Sequence, residues 1–165
     1  MRFTPGLLDR LMDVSVSGAA SGTVARMSVE DLKDAVARDL EALLNTRTAI
    51  ADEALLPYPE CSQSIVTYGL SDFAARSLSG TDDRAFICAQ LGKAIARHEP
   101  RLQSVKVTLE IGEDSVNRLN FSITALLVVR EAQEAVNFDA VLQPSSLHYS
   151  ISKCRAAVPR EADGG

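Results

Sequence analysis

The chain has 165 residues, of which 46% are hydrophobic and 24% charged, and this composition is typical of a soluble globular protein with one sizeable core. The formal net charge of −5 argues against a nucleic-acid-binding protein and against a protein that binds anionic membrane surfaces. Cys61, Cys88 and Cys154 form no CxxC pair and are odd in number, which argues against a disulfide scaffold and predicts a reducing compartment.

The segment 1–27 is predicted to be a docking segment followed by a flexible tether. Its opening stretch MRFTPGLLDRLMD lacks the unbroken apolar run of a signal peptide, and no run of about 18 apolar residues predicts a membrane span. Leu7, Leu8 and Leu11 fall on one face of one or two helical turns, where they either pack on their own domain or dock on a partner. Residues 13–27 are rich in Ser, Gly and Ala, as flexible tethers are.

The first long helix is predicted over residues 28–45. Ser28 is placed to cap its first turn, and apolar residues then recur at helical spacing. Residues 46–70 are predicted to be mostly irregular, because two prolines in this stretch remove backbone donors and fix φ. A short helix is expected at 71–78.

A second long helix is predicted over about 82–98. Asp82 and Asp83 are expected to supply its cap and its acidic first turn. Pro100 disfavours a helical backbone at Glu99 and should end the helix there. The predicted buried stripe of this helix consists of Phe86, Ile87, Leu91, Ala94, Ile95 and His98.

Beyond Pro100 the period of the apolar residues changes to two, which indicates β-strands. The predicted strands cover 105–111, 119–129, 136–142 and 147–151. Their short connections, including a turn at 112–117, favour antiparallel pairing. The predicted fold class is α+β, with N-terminal helices packed on one face of a C-terminal, mainly antiparallel four-stranded sheet. We expect a single domain over 28–153 and a disordered tail over 154–165.

Most catalytic and cofactor motifs are absent from the sequence. The LGKAI stretch resembles the end of a phosphate-binding loop, but Ile87 stands where that loop requires glycine. The two histidines, His98 and His148, have no metal-ligand spacing to each other or to a cysteine. We therefore predict no cofactor and no metal, with a zinc site built from both histidines and one cysteine as the minor alternative.

A glycoside hydrolase would need two carboxylates placed across a sugar. Glu99 is one candidate, with Glu110, Glu113 or Asp114 as the second. Glu113 and Asp114 are more typical of a solvated turn, and a chain with no Trp and three Tyr offers few rings on which a sugar would stack. The residues themselves therefore favour a protein that is not an enzyme.

The triplet Glu99-Pro100-Arg101 places an acid at the C-terminal end of a helix, where the macrodipole disfavours negative charge. Residues two apart in an extended segment point to similar sides, so Arg101 is an available partner. Three alternatives stay open: a local surface pair worth about 0–1 kcal/mol, a rigid pair presented to another protein, or a pair that bridges elements of its own domain. Arginine suits each of them because its planar fork binds carboxylates bidentately.

Four stretches resemble the TssE family in order and spacing. They are FTPGLLDRL near the N-terminus, DLEALLNTR at 39–47, YPECSQSIVTYGLSD at 58–72 and HEPRL at 98–102. TssE proteins are baseplate subunits of the bacterial type VI secretion system and are similar to a wedge protein of contractile-tailed phage baseplates. The resemblance covers residues 3 to about 151, which is nearly the whole chain.

The resemblance implies a structural role in the wedge, where family members join the baseplate to the contractile sheath and help to initiate sheath assembly. The implied partners are other wedge subunits and the sheath protein, at the cytoplasmic inner face of the cell envelope, without nucleic acid, membrane insertion or a small-molecule substrate. Strand addition at a sheet edge suits this role, because backbone groups supply the affinity. The family's older description as lysozyme-like makes peptidoglycan cleavage the alternative function.

The same resemblance assigns partner-binding residues. The Glu-Pro-Arg triplet is linked in the family to assembly of wedge and sheath, and the N-terminal leucines contact other wedge subunits. The residues implied are Glu99, Pro100, Arg101, Leu7, Leu8 and Leu11.

Overall fold

The computed structural model describes residues 28–48, 50–71, 80–110, 118–129 and 132–153. The predicted docking segment and tether at 1–27, the turn at 112–117, the tail at 154–165 and all but the first residue of the helix at 71–78 lie outside these ranges. The helices are α1 (Val29–Asn45) and α2 (Thr81–His98), and three 3-10 turns between them cover Asp52–Leu55, Pro59–Gln63 and Ile65–Thr67. The strands are β1 (Leu102–Glu110), β2 (Leu119–Val129), β3 (Ala132–Gln143) and β4 (His148–Lys153).

The strands form one antiparallel sheet in the order β1-β2-β3-β4. Helix α1 packs against β4, and helix α2 packs against β1. One hydrophobic cluster contains buried residues of both helices and of all four strands. Burial of each large apolar side chain contributes about 1.5–3 kcal/mol, so this cluster supplies the main stabilisation. The α+β prediction, with helices on one face of a four-stranded antiparallel sheet, is confirmed.

Helix α1 begins where the sequence predicts, and a capping box explains why. The Ser28 hydroxyl accepts from the Asp31 amide at 3.1 Å, and the Asp31 carboxylate accepts from the Ser28 amide at 3.0 Å. Two otherwise unpaired donors of the first turn are thereby satisfied. The hydrogen bonds from the Ser28 side chain and backbone also hold the pKa of Asp31 below its ordinary value.

Helix α2 differs from the prediction at its start. Its N-cap is Gly80, which makes no side-chain cap, so the expectation that Asp82 and Asp83 cap the helix is wrong. The helix begins one residue before Asp82, and both acids lie within its first turn, where they face the positive end of the dipole. The predicted end is confirmed, because Glu99 has left helical geometry with φ −120° and ψ 79°. Four of the six stripe residues are buried, namely Ile87, Leu91, Ala94 and Ile95, while Phe86 and His98 are half-buried.

Strand β1 is longer at its start than predicted and carries an irregularity there. Its register against β2 shifts between Gln103 and Lys106, and Ser104 has a φ of 52°. A bulge of this kind bends an edge strand and lets it change direction after a tight connection. The described residues contain no helix long and apolar enough to cross a membrane.

Candidate functional site

The Glu99-Pro100-Arg101 junction is a compact ion-pair network. The Arg101 side chain donates from Nε to Glu99 Oε1 at 2.6 Å and from Nη2 to Glu99 Oε2, so the pair is bidentate. The Arg101 backbone amide also donates to Glu99 Oε1 at 3.2 Å, and the Leu102 amide donates to the Glu99 carbonyl at 3.0 Å. Both carboxylate oxygens of Glu99 are therefore engaged within the junction.

Arg101 also reaches Asp39 on α1, which sequence reasoning missed. The guanidinium Nη2 donates to the Asp39 carboxylate, 62 positions away along the chain. The pair therefore bridges α1 and the start of β1 within its own domain, which is one of the three alternatives. Only 6% of the Glu99 side chain is exposed, whereas Pro100 is exposed and Arg101 is partly so. The acidic partners, Glu99 first, raise the pKa of Arg101 further, so the guanidinium stays charged.

This geometry offers little to catalysis or metal binding. Glu99 is buried and paired, Glu110 is exposed at the end of β1, and the other acids named for a glycosidase lie outside the described residues. His98 Nε2 lies 2.9 Å from the Thr67 carbonyl oxygen, while His148 is exposed at the start of β4. Across the ranges that the structure describes, no group of three or more His, Cys, Asp or Glu residues is placed to hold a metal ion.

The β4 edge of the sheet is closed by side chains of α1. Asn45 accepts from the Tyr149 amide and donates to the Tyr149 carbonyl, each at 2.8 Å. Glu41 accepts from the Ile151 amide at 2.9 Å. These bonds use outward backbone groups of β4 that a partner strand would need.

Among the described residues, no strand pairs with the outer edge of β1, and the register shows which backbone groups of this edge point outward. Backbone amides point alternately to the two sides of an antiparallel strand. The Tyr149 amide points away from β3. Because the registers of β4 with β3 and of β3 with β2 are unbroken, this direction determines which amides of β2 point toward β1. The Ser122 amide is one of those that point toward β1, so Thr108 and Ser122 form a hydrogen-bonded pair between β1 and β2. The amides of Val107 and Leu109 therefore point away from the sheet.

A groove of about 710 Å³ lies between α2 and this edge. Its helix side includes the small residues Ala85, Ala89 and Gly92, and its strand side includes Val105, Val107 and Leu109. A Cβ placed on Gly92 would lie 3.8 Å from Val107 Cγ2, so α2 runs above β1 at close range. Burial raises the pKa of Cys88, and a smaller opposite effect comes from a hydrogen bond with the Leu109 backbone. In the described part of the chain, the Val107 amide has no hydrogen-bond partner comparable to Cys88.

The structure does not bring all the predicted site residues together. Glu99, Pro100 and Arg101 meet at one junction, whereas the N-terminal leucines lie outside the described residues. The outward groups of β1 were not predicted, because the phase of a strand's amides depends on its pairing and not on its side chains.

Comparison with known proteins gives one family and two similar structures. The family model of baseplate wedge protein gp25 matches residues 30–132. A search of curated proteins found no significant match. The crystal structure of a "putative tail lysozyme" from Geobacter sulfurreducens is 16% identical, with a TM-score of 0.47, over 80% of this chain and 99% of that one. A chain of "the baseplate complex from the type VI secretion system" is 20% identical, with a TM-score of 0.44, over 69% of this chain and 96% of that one.

The family match confirms the resemblance to phage baseplate wedge proteins that the sequence predicts. It includes α1, α2, β1 and β2, and therefore both the ion-pair junction and the outer edge of β1. Because the matched residues make up well over half of its length, the chain belongs to the family of baseplate wedge protein gp25.

Proposed function

We propose that this wedge protein is a structural component of a type VI secretion baseplate that joins the baseplate to the contractile sheath and helps to initiate sheath assembly. Its partners are other wedge subunits and the sheath protein, and it works on the cytoplasmic side, at the inner face of the cell envelope. Membership of the wedge family supports the baseplate role. The TssE-like motifs in the sequence support the assignment to type VI secretion.

The main support for a contact with the sheath protein is the difference between the β1 and β4 edges of the sheet. At β4, Asn45 and Glu41 occupy outward backbone groups, whereas at β1 the Val107 amide points away from the sheet, beside a groove that Val107 itself helps to line. A partner strand added to β1 would gain a ladder of main-chain hydrogen bonds and would bury its inward side chains under α2. The added strand belongs to the sheath protein.

The position of α2 limits what kind of strand fits. Because the helix lies directly above β1, a partner sheet with its own helix on the same face would collide with α2. A single extended segment avoids the collision, and the small side chains of Ala85, Ala89 and Gly92 leave room for its alternating residues. We therefore assign the groove to an extended arm.

The predicted site residues have two roles in this proposal. Glu99 and Arg101 act as positioning residues, because they hold the start of β1 against α1 through Asp39. Pro100 keeps the junction rigid and is exposed to a partner. Leu7, Leu8 and Leu11 dock on other wedge subunits.

The alternative of peptidoglycan cleavage gains no support from the site. A general acid must reach the glycosidic oxygen, and the Glu99 carboxylate is buried with both oxygens bound by Arg101. A structural wedge component needs no general acid, because it acts by binding other proteins through its surface.

The experiment replaces Val107 by proline in the full chain in cells and follows sheath growth by fluorescence imaging. Proline removes the outward amide and leaves the β1–β2 ladder intact, because edge strands tolerate proline where the N–H faces away from the sheet. Val107→Ala is the matched control, since it trims the side chain and keeps the amide. We expect few or no sheaths with Val107→Pro and normal sheaths with Val107→Ala. Normal sheaths with a folded Val107→Pro chain would contradict the proposal.

A further inference from the structure

A second exposed apolar surface lies in the segment between the two helices. It consists of Leu56, Tyr58, Ile65 and Val66 and is called the loop surface below. Leu56 and Ile65 are 79% and 80% exposed, and Tyr58 is 62% exposed, although the chain has an extensive core in which such side chains are normally placed. Several large apolar side chains exposed within one short segment are typical of an interaction site.

The loop surface is held in shape by its own backbone. Pro57 and Pro59 fix φ on both sides of Tyr58, whose amide donates to the Leu55 carbonyl at 2.8 Å. The Ser64 hydroxyl donates to the Cys61 carbonyl at 2.8 Å, in the turn that precedes Ile65. A prearranged surface loses little conformational entropy when a partner binds.

The segment is also fastened to the rest of the domain. The Thr67 hydroxyl donates to the Ser62 carbonyl at 2.9 Å, and the Thr67 carbonyl lies within hydrogen-bond distance of His98 at the end of α2. The Leu70 amide donates to the Thr46 carbonyl at 2.9 Å, which ties the end of the segment to the end of α1. The exposed side chains therefore stand on an anchored base.

The charge of the segment indicates the chemistry of its partner. Residues 48–71 contain three acids and no Lys or Arg. Glu53 shares a cavity of about 340 Å³ with Lys93 and Arg97 of α2, whereas Glu60 is exposed in the turn that follows Tyr58. A second copy of the chain would bring the same acids, and like charges would oppose such a contact.

We propose that the loop surface docks into an apolar pocket with Lys or Arg at its rim on another subunit of the baseplate wedge. This inference rests on the proposed function, because it adds the loop surface to the wedge contacts that the proposed function gives to the N-terminal leucines. The β1 groove and the loop surface share no residue, so both partners bind at once.

The test measures binding of the full chain to a purified complex of the other wedge subunits prepared without it. Leu56→Ser and Ile65→Ser should each weaken binding about tenfold or more, since truncation of a central apolar anchor has effects of this size. Leu147→Ser is the control, because Leu147 is an exposed leucine in the turn between β3 and β4. Glu60→Lys should also weaken binding, and less so at high salt. Each variant is first checked for an unchanged melting temperature.

Photocrosslinking from position 58 identifies the occupant. With Tyr58→p-benzoylphenylalanine, we expect crosslinks to an apolar stretch of a wedge subunit that has Lys or Arg beside it. Crosslinks to residues 1–27 of the same chain, to a second copy or to an acidic surface would overturn the proposal, as would serine variants that bind normally. If the unmodified chain does not bind the other wedge subunits, the wedge contact of the proposed function is contradicted as well. If Val107→Pro prevents sheath assembly but leaves wedge binding normal, the result supports two separate binding surfaces.

Discussion

Asn45 of α1 binds both backbone groups of Tyr149, accepting from its amide and donating to its carbonyl at 2.8 Å each. A single side chain thus imitates the partner strand that would otherwise extend the sheet at β4. The contact joins positions 104 residues apart and occupies outward groups of β4, whereas no strand of the described residues pairs with the outer edge of β1.

Replacing Asn45 by alanine should destabilise the fold and expose the β4 edge. Two partly buried backbone groups lose their partners, which predicts a loss of about 2 kcal/mol in the free energy of unfolding. Chemical denaturation measures this loss, and amide hydrogen exchange should be faster at Tyr149. Asn137→Ala, on an exposed position of β3, should change stability by no more than about 0.5 kcal/mol. Equal stability of the two variants would show that Asn45 does not close the edge.

Removing the guanidinium at position 101 should be costly because Glu99 would stay buried without its partner. Arg101→Met is expected to lower the free energy of unfolding by about 3 kcal/mol. The double variant Glu99→Gln with Arg101→Met should recover part of that loss, since no buried charge remains. Asp39→Asn should cost about 1 kcal/mol or less, because Asp39 is the more exposed acid. A double variant as unstable as Arg101→Met would contradict this account of the junction.

Two glycines should respond to alanine in opposite ways. Gly69 has a φ of +115°, and a Cβ there would lie 2.7 Å from the Thr46 carbonyl oxygen, so Gly69→Ala should cost about 2 kcal/mol or more. Gly92 is helical, with its nearest neighbour at 3.8 Å, so Gly92→Ala should stabilise α2 by about 0.5–1 kcal/mol. Thermal unfolding of both variants tests the pair. A Gly69→Ala chain of unchanged stability would contradict the close approach of Gly69 to the C-terminal end of α1.

The capping box of α1 should give stability a defined pH dependence. Hydrogen bonds from the Ser28 side chain and backbone hold the pKa of Asp31 below its ordinary 3.8, so the contribution is present above that value. It is lost as the pH falls through the lower pKa of the folded state. Asp31→Asn should therefore lower the melting temperature at pH 7, and the difference from the unmodified chain should shrink on acidification.

Local sequence patterns predicted much of the fold. The 3.6-residue period of α1 and the two-residue period of β2 are set by one-sided burial, and the buried positions of the structure follow both. Ser28 and Pro100 were predicted as boundaries because each acts on adjacent backbone. The cap of α2 was predicted wrongly, because an acid within the first turn and an acid at the cap look alike in sequence.

The contacts that define the site were less accessible to sequence reasoning. Asp39 meets Arg101 and Asn45 meets Tyr149 only because the chain folds back on itself, and neither pair has a local signature. Glu99 and Arg101 were found because they are two residues apart. The outward direction of the Val107 amide follows from the register of three strand pairs, and no single segment of the sequence encodes that register.

Residue-level amide exchange, measured by NMR with and without the purified sheath protein, tests the central claim most directly. The Val107 amide points outward, so it should exchange quickly in the free chain and become protected when the sheath protein is added. The Tyr149 amide is already bonded to Asn45 and should not change. New protection of the Val107 amide, with no change at Tyr149, would support strand addition at β1. New protection along β4 with Val107 still exchanging quickly would contradict it.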